Sequence, residues 1–308
     1  ALYTVRSERQ LCEQLDYNLL FRWFADMNMV EDSFDASTFS KNRQRLMDHG
    51  AAHVFFHRVV EHARDAQLMS SEHFTVDGTL IEAWASLKSF RPKAEQDAPS
   101  TVHQRNADTR VTPKRIRGRR CSNPNVSFPG HKRRNDTHAS TTDPEARLMR
   151  KGQGKEAKLS FSAHALMDNR NGMLVELRIA EASGKAERRV ALEMIDDNLD
   201  GQRRITLAAD KGYHTRDFID DCRQRHVTPH VADKAKHSQL DARTTQRPGY
   251  QVSQRAGKRV EEIFGWAKTV GGFRRTRFQG TAKTQLAAHI VAAAYNLTRM
   301  ATLVATPT

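Results

Sequence analysis

Three acidic residues stand where they could act on a common substrate. Asp77 and Asp210 each end a short apolar run that predicts a β-strand, and Glu261 lies in a run with helical spacing. The gaps between them are 210 − 77 = 133 and 261 − 210 = 51 residues, so only tertiary folding can bring them together. Carboxylates are the ligands that Mg²⁺ prefers, and two such ions about 4 Å apart can activate a nucleophile and offset the charge that develops at phosphorus. The three acids are therefore candidate metal ligands and catalytic groups for phosphodiester chemistry.

Each acid also has a simpler interpretation. Asp77 and Asp210 each precede a glycine by one or two residues, so either could serve only as a turn residue. Glu261 could form an ion pair with a neighbouring cation, and Glu262 could be the ligand in its place. We favour Glu261 because the same helical face carries Lys268, seven residues or about two turns further on.

The charge of the chain indicates a polyanionic partner. Its 308 residues carry a formal net charge of +14. Neutralising phosphates releases counterions, so such an excess favours nucleic acid, and the alternative is a protein that is simply basic. The length suits one large domain or two modest ones with a substantial core.

Cysteine usage and hydropathy argue against other classes of protein. Cys12, Cys121 and Cys222 are far apart and lack metal-ligand spacing, which argues against a zinc site or a disulfide framework. No apolar run approaches the length of a membrane span, so no membrane partner is expected. The pattern that remains is that of a globular protein with free thiols in a reducing cytosol.

Basic residues flank the segment that carries Glu261. We expect their side chains to bind DNA phosphates beside the acids. For Lys268 the competing explanation is stabilisation of a helix C-terminus. Trp84 and Trp266 could stack on an extruded base, although packing is the more frequent role of a tryptophan. The basic candidates are Arg255, Lys258, Arg259, Lys268, Arg274, Arg275 and Arg277.

The amino-terminal part of the chain, residues 1–72, is predicted to be all helical. Within it, a short basic helix at 39–46 follows a polar turn and precedes a longer helix at 51–66. This order has the shape of a helix-turn-helix, and it predicts a DNA-binding region. The alternative is a helical packing region with a solvated charged face.

The rest of the chain, residues 73–304, predicts the domain that positions the acids. A β-hairpin at 158–180 is followed by alternating helices and strands, which indicates a mixed α/β sheet flanked by helices. If the strands that end at Asp77 and Asp210 are neighbours, their carboxylates meet. That arrangement is the ribonuclease H-like (RNase H-like) fold.

One segment of this domain departs from the pattern. Residues 91–157 are rich in Pro, Ser, Asn, Asp and Arg and lack apolar periodicity over most of their length. They predict a basic mobile insertion that rests on DNA phosphates, with a flexible solvated loop as the alternative. Further on, residues 234–250 predict a loop, and 256–269 and 282–303 predict the last two helices.

Six local blocks spread along nearly the whole chain carry a family resemblance. In order they are Tyr17–Phe24, Phe39–Arg43, Thr75–Thr79, Thr137–Pro144, Ala209–Tyr213 and Arg259–Lys268. Together they resemble the DDE transposases of bacterial insertion sequences. The resemblance implies an RNase H-like catalytic domain, Mg²⁺-dependent DNA strand cleavage and transfer, and Asp77, Asp210 and Glu261 as the triad. With the chemistry above it gives a site for two Mg²⁺ ions, for which Mn²⁺ would substitute.

The chain departs from that family in three places. Residues 2–15 already have mid-helix spacing, so we expect the natural chain to begin further upstream, which affects recognition of the element ends. The basic stretch at 93–135 is longer than is usual in the family. The family often has a tyrosine and an arginine seven and four residues before its glutamate, where this chain has Gln254 and Gly257.

The sequence therefore predicts a bacterial transposase that is cytoplasmic and associated with the nucleoid. Its expected partners are double-stranded DNA, as terminal repeats and as target, and a second copy of itself in a homodimer. Two alternatives stay open, namely a catalytically inactive DNA-binding relative and a structure-directed nuclease of the same fold.

Overall fold

The computed structural model describes residues 5, 7–93, 126–127, 131–184, 186–199, 203–234 and 238–305. The helices are α1 (Glu8–Tyr17), α2 (Leu19–Phe24), α3 (Ala36–Asp48), α4 (Ala51–Asp65), α5 (Ala186–Asn198), α6 (Arg216–Gln224), α7 (Ala242–Thr245), α8 (Pro248–Gly257), α9 (Val260–Thr269) and α10 (Thr281–Ala305). The strands are β1 (His73–Glu82), β2 (Phe90–Pro92), β3 (Val126–Ser127), β4 (His131–Lys132), β5 (His138–Ser140), β6 (Arg147–Arg150), β7 (Ala157–Asp168), β8 (Leu174–Glu181), β9 (Ile205–Ala209) and β10 (Val227–Val231). Short 3-10 helices occupy Leu87–Ser89 and Lys211–Tyr213. None of the described helices combines the length and the apolar character needed to cross a membrane.

A mixed sheet of six strands lies at the centre of the described residues. The strand order is β10-β9-β1-β7, and both β8 and β6 pair with the outer edge of β7. The strands β1, β7 and β8 are antiparallel in turn, whereas β9 and β10 run parallel to β1. Three antiparallel strands, with two parallel strands added on the other side of the first, form the RNase H-like arrangement. The predicted fold class is confirmed.

The free edge of β8 is closed by side chains of α10. Gln285 accepts a hydrogen bond from the backbone N–H of Ile179 at 2.6 Å and donates one to the carbonyl of Leu177 at 2.8 Å. Asn296 likewise bonds both backbone groups of Leu174, at 2.9 and 2.8 Å. These bonds satisfy groups that an edge strand would leave exposed, and they fix the long last helix against the sheet.

The helix α4 shares its core with the sheet. Phe56, Val59 and Val60 are buried in the same apolar cluster as Val76 of β1. The ring of Phe56 stacks on that of His289 of α10, with centroids 5.7 Å apart. The predicted helix at 51–66 is thus present and packs onto the predicted catalytic part of the chain.

The segment predicted as an insertion, residues 91–157, holds more regular structure than its composition indicates. The strand β5 pairs antiparallel with β2, and β6 pairs with the start of β7. Phe90 stacks on His138, with ring centroids 5.5 Å apart. Such short paired strands carry few apolar residues, which is why periodicity does not reveal them. Residues 94–125, which include the basic run 114–120, lie outside the described residues.

The helix predicted at residues 256–269 is in fact two helices. The first, α8, begins at Pro248 inside the predicted loop 234–250, and α9 begins only at Val260. Proline favours the first turn of a helix, because its missing N–H is not needed there. The polar composition of the segment hid this helix from the pattern.

Candidate active site

The two aspartates that were predicted to end strands are neighbours in the sheet. Asp210 does follow the end of β9, but β1 continues to Glu82 because residues 78–82 still pair with β7, so Asp77 lies in the middle of its strand. The strands β1 and β9 run parallel, with Thr75 opposite Ala208. Continuing that register by two residues places Asp77 beside Asp210, which follows directly after β9. The structure therefore brings together two acids that are 210 − 77 = 133 residues apart in sequence.

Each aspartate has one oxygen fixed by a backbone N–H. Asp77 Oδ1 accepts from Gly78 at 2.7 Å, and Asp210 Oδ1 accepts from Gly212 at 2.7 Å, which caps the 3-10 helix after β9. Arg188 of α5 donates to the carbonyl of Gly212 at 3.0 Å and so holds this turn. The Oδ2 atoms of the two aspartates make no hydrogen bond within the described part of the chain, and they are free to bind a ligand.

Glu261 reaches the same place from α9. The preceding helix α8 lies against the sheet at Gly257, where a Cβ would be 3.3 Å from Thr75 Oγ1 and 3.5 Å from Ala208 Cβ. So close an approach favours glycine at the position where the family often has an arginine. The chain then turns, and α9 begins with Glu261 in its first turn, where the helix dipole favours a carboxylate.

A single cavity of about 180 Å³ is lined by all three predicted acids. Lys258 also lines it, whereas Glu262 does not. Glu262 is exposed, and its charge adds to the rise that burial causes in the pKa of Tyr295. The structure thus places Glu261 at the cavity and Glu262 away from it.

The carboxylates at the cavity repel one another. Burial raises the pKa of Asp77 to about 6, against a hydrogen bond from Gly78, and the charges of Asp210, Glu187 and Glu261 contribute to the rise. A buried carboxyl whose pKa is raised in this way costs folding free energy once it is ionised in the metal-free protein. Such an arrangement is typical of a cation site rather than of structural ion pairs.

Glu187 is a fourth acid near the cavity, and the sequence did not reveal it. It lies in the first turn of α5, and its Oε1 is 3.4 Å from the place where a Cβ of Gly78 would be. Burial and the charge of Asp210 raise the pKa of Glu187. The one sequence signal that could have indicated room for this side chain is the glycine directly after Asp77.

Lys268 lies beside the acids on the same face of the sheet. Its Nζ donates to Thr79 Oγ1, and Thr79 follows Asp77 by two residues and so points to the same side of β1. Burial lowers the pKa of Lys268, and the charges of Lys151 and Arg274 lower it further. A patch of positive charge therefore borders the acidic cavity.

The other predicted DNA-binding residues lie at different distances from the acids. Lys258 is at the cavity, and Arg255 is exposed one turn earlier on α8. Arg259 is exposed and donates to the carbonyl of Arg170 at 3.1 Å. Arg274 and Arg277 are exposed in the segment between α9 and α10.

Arg275 and the two tryptophans have structural contacts. Arg275 donates to the carbonyls of Ala83 and Trp84, at 3.1 and 2.6 Å, and its guanidinium lies 5.3 Å from the centroid of the Trp84 ring. Trp84 is half exposed, with 50% of its surface accessible. Trp266 packs edge-on against Tyr295, with ring centroids 5.5 Å apart.

The donors around the cavity suit hard divalent cations. The three acids offer carboxylate oxygens, the ligand type of Mg²⁺ and Mn²⁺, and a cation would offset both the burial and the neighbouring negative charges that raise the pKa of Asp77. Among the described residues, the ligand atoms of the three acids do not all lie within 4.8 Å of one another.

Two family profiles match the chain. One, described as a transposase DDE domain, matches residues 127–297, which is more than half of the chain and includes Asp210 and Glu261. The other, described as a transposase domain, matches residues 1–45. No curated protein sequence matches the chain.

Solved structures with some similarity are complexes of the Mos1 transposase. A pre-cleavage Mos1 transpososome has 8% identity and a TM-score of 0.24, over 96% of this chain and 78% of the other. A Mos1 mariner paired-end complex with Mn has 10% identity and a TM-score of 0.25, over 98% and 74% of the two chains. TM-scores this low do not establish a shared fold. The RNase H-like fold of this chain is seen in its own strand order.

Proposed function

Because the chain belongs to the transposase DDE domain family, we propose that Asp77, Asp210 and Glu261 are the catalytic carboxylates with which it cleaves and joins DNA at the ends of an insertion sequence. The observation that carries this proposal is the single cavity lined by all three acids. The raised pKa of Asp77 supports it, since perturbed acids cluster at functional sites.

The three acids would hold two Mg²⁺ ions, or Mn²⁺ in their place. Such ions, when bound, stabilise the charge that develops on a phosphate and lower the pKa of a bound water. The chain contributes rigid placement of the ligands. Asp77 is on a central strand, Arg188 holds the turn of Asp210, and Gly257 sets the start of α9 against the sheet.

The reaction has two steps at one site. Water attacks the phosphodiester at an element end, the bond to the leaving 3′-oxygen breaks, and a free 3′-hydroxyl results. The oxygen of that hydroxyl then attacks a phosphodiester of the target DNA and bonds to its phosphorus, the bond to the target's own 3′-oxygen breaks, and the proton passes to that leaving oxygen, so the element is joined and the target strand keeps a free 3′-hydroxyl. No covalent bond between protein and DNA is needed in either step.

The cations around the cavity would bind DNA phosphates. Lys258 and Lys268 are nearest to the acids and would hold the phosphates beside the cleaved bond. The exposed arginines would bind the flanking duplex, and Arg275 would do so with those N–H groups that the backbone does not engage. These arginines are Arg255, Arg259, Arg274, Arg275 and Arg277.

The helical region 1–72 would help residues 73–304 to recognise the terminal repeats. In α3, Arg43 pairs with Glu8 of α1, and its guanidinium lies 4.9 Å from the ring centroid of Phe278. These contacts fix α3, whose exposed cation Lys41 would face DNA. Binding two element ends requires two protomers, so we propose a homodimer on DNA. We also propose a cytoplasmic, nucleoid-associated protein.

The test is incubation of the protein with duplexes that carry the element ends, a target plasmid and Mg²⁺. The proposal predicts nicked ends and covalently joined end–target products. Cleavage without joining would instead support a structure-directed nuclease, and binding without cleavage would support an inactive relative. Either of those results would refute the proposed reaction.

A further inference from the structure

A second cluster of metal-type ligands lies away from the cavity of the triad. His53 and His57 are one turn apart on α4, with ring centroids 4.2 Å apart, and Glu176 of β8 faces them. One ligand atom from each of the three lies within 4.8 Å of those of the other two. None of the three residues lines the cavity that holds Asp77.

Glu176 is a buried carboxylate with few hydrogen bonds. Only 2% of its surface is exposed, and the backbone N–H of Leu177 donates to its Oε1 at 2.9 Å. Arg178 Nη2 is 3.8 Å from its Oε2 and donates instead to Asp197 at 2.9 Å. A carboxylate buried with so few hydrogen-bond donors is stabilised by a close cationic partner.

His289 of α10 does not donate a hydrogen bond to the carboxylate of Glu176. The amide of Gln285 is oriented by β8, since its oxygen accepts from Ile179 and its nitrogen donates to Leu177. The second N–H of that amide reaches His289 Nε2 at 2.8 Å, which makes Nε2 an acceptor. His289 Nε2 is also 3.4 Å from Glu176 Oε1, so a lone pair, not a proton, lies near the carboxylate.

The imidazole ring of His57 offers a potential metal-binding nitrogen beside Glu176. Its Nε2 is buried, has no hydrogen-bond partner in the described part of the chain, and is 3.5 Å from Glu176 Oε2. In a tetrahedral site with metal–ligand bonds of about 2.0–2.1 Å, neighbouring ligand atoms are about 3.3–3.4 Å apart. Two histidines at i and i+4 on one helix also have a spacing that binds Zn²⁺.

We propose that His53, His57 and Glu176 bind one divalent transition-metal ion, of which Zn²⁺ is the best match. His53 is exposed and gives the ion a path from solvent, and a water would complete the coordination. Imidazole ligands favour Zn²⁺ over Mg²⁺, so this site and the cavity of the triad would select different ions. The ion would clamp α4 onto β8 and thereby tie the amino-terminal helices to the sheet.

The test uses the full chain, stripped with a chelator and kept in excess Mg²⁺ so that hard carboxylate sites are filled. Calorimetric titration should show one Zn²⁺ bound per chain, and Co²⁺ should give the visible absorption of a tetrahedral site. Zn²⁺ should also raise the Tm by a few degrees, because it binds only the folded state. His53→Ala should weaken binding by about 100-fold or more, whereas His62→Ala, an exposed histidine on the same helix, should leave it unchanged.

Three results would overturn the proposal. The first is no Zn²⁺ uptake by the wild type. The second is equal affinity in the wild type, His53→Ala and His57→Ala. The third is loss of Zn²⁺ binding in Asp77→Asn, which would assign the ion to the other cavity. The readout is independent of DNA cleavage, so the proposed transposase reaction can fail or hold separately.

Discussion

Replacing Asp77 by asparagine should stabilise the metal-free protein at neutral and alkaline pH. In the folded protein the pKa of this carboxyl is about 6, against an ordinary value of 3.8, so folding raises the pKa by 6 − 3.8 = 2.2. Each unit corresponds to about 1.4 kcal/mol, which gives a penalty of about 3 kcal/mol once the group is ionised. Asp77→Asn keeps the shape and an oxygen for the Gly78 N–H, and removes the charge.

The sign of the pH dependence follows from the direction of the shift. Because the folded state holds the proton more tightly, the penalty is absent below pH 3.8, grows as the pH rises, and is complete above about pH 6. At pH 5 it is about half of its full size. Asp77→Asn should therefore gain more stability at pH 8 than at pH 5. Since part of the side chain contacts solvent, we expect a rise in Tm of roughly 2–6 °C at pH 8.

The assay is thermal unfolding with and without a chelator at both pH values. Asp65→Asn, at an exposed acid in the last turn of α4, is the control and should shift the free energy of unfolding by less than about 1 kcal/mol. Added Mg²⁺ should stabilise the wild type more than Asp77→Asn and so reduce the difference between them. A variant that is less stable than the wild type at pH 8, or a difference that does not depend on pH, would refute the reasoning.

Three further predictions test other parts of the site. Glu261→Gln should reduce single-turnover DNA cleavage by more than about 100-fold, and Glu262→Gln should keep it within about twofold; the reverse would reassign the ligand. Gly78→Ala should lower the free energy of unfolding by about 1–2 kcal/mol in chemical denaturation, because its Cβ would lie 3.2 Å from a buried histidine nitrogen, whereas Gly265→Ala has no atom within 4 Å and should not destabilise. Lys258→Ala should lower the slope of log affinity for duplex DNA against log salt by about 0.9, and an unchanged slope would exclude a phosphate contact.

The sequence was most informative where an acidic residue follows an apolar run. Both aspartates were predicted at strand ends, which is right for Asp210 and wrong for Asp77, since β1 continues to Glu82. The parallel pairing of β1 with β9 places the two acids side by side. The fold class followed from a hairpin and alternating strands and helices, whose periodicity survives because each element buries apolar residues. Local patterns of this kind depend only on neighbouring residues, and a single sequence contains them.

Contacts between distant elements were not predictable in the same way. Glu187 approaches the cavity from α5, and only the packing of that helix over Gly78 reveals it. His53 and His57 have a suggestive spacing, but their third ligand, Glu176, lies more than a hundred residues away on another element. The strands β5 and β6 were missed because strands of three and four residues are too short to show an apolar periodicity. In each case the deciding quantity is a tertiary distance.

The central claim is that Asp77, Asp210 and Glu261 act together as the catalytic carboxylates. The most direct measurement compares Mg²⁺-dependent cleavage of end-bearing DNA by the wild type, Asp77→Asn, Asp210→Asn and Glu261→Gln, with the DNA affinity of each protein measured in parallel. We predict that all three variants lose cleavage while they bind DNA at least as tightly as the wild type. Cleavage at the wild-type rate by any one of them would contradict the claim.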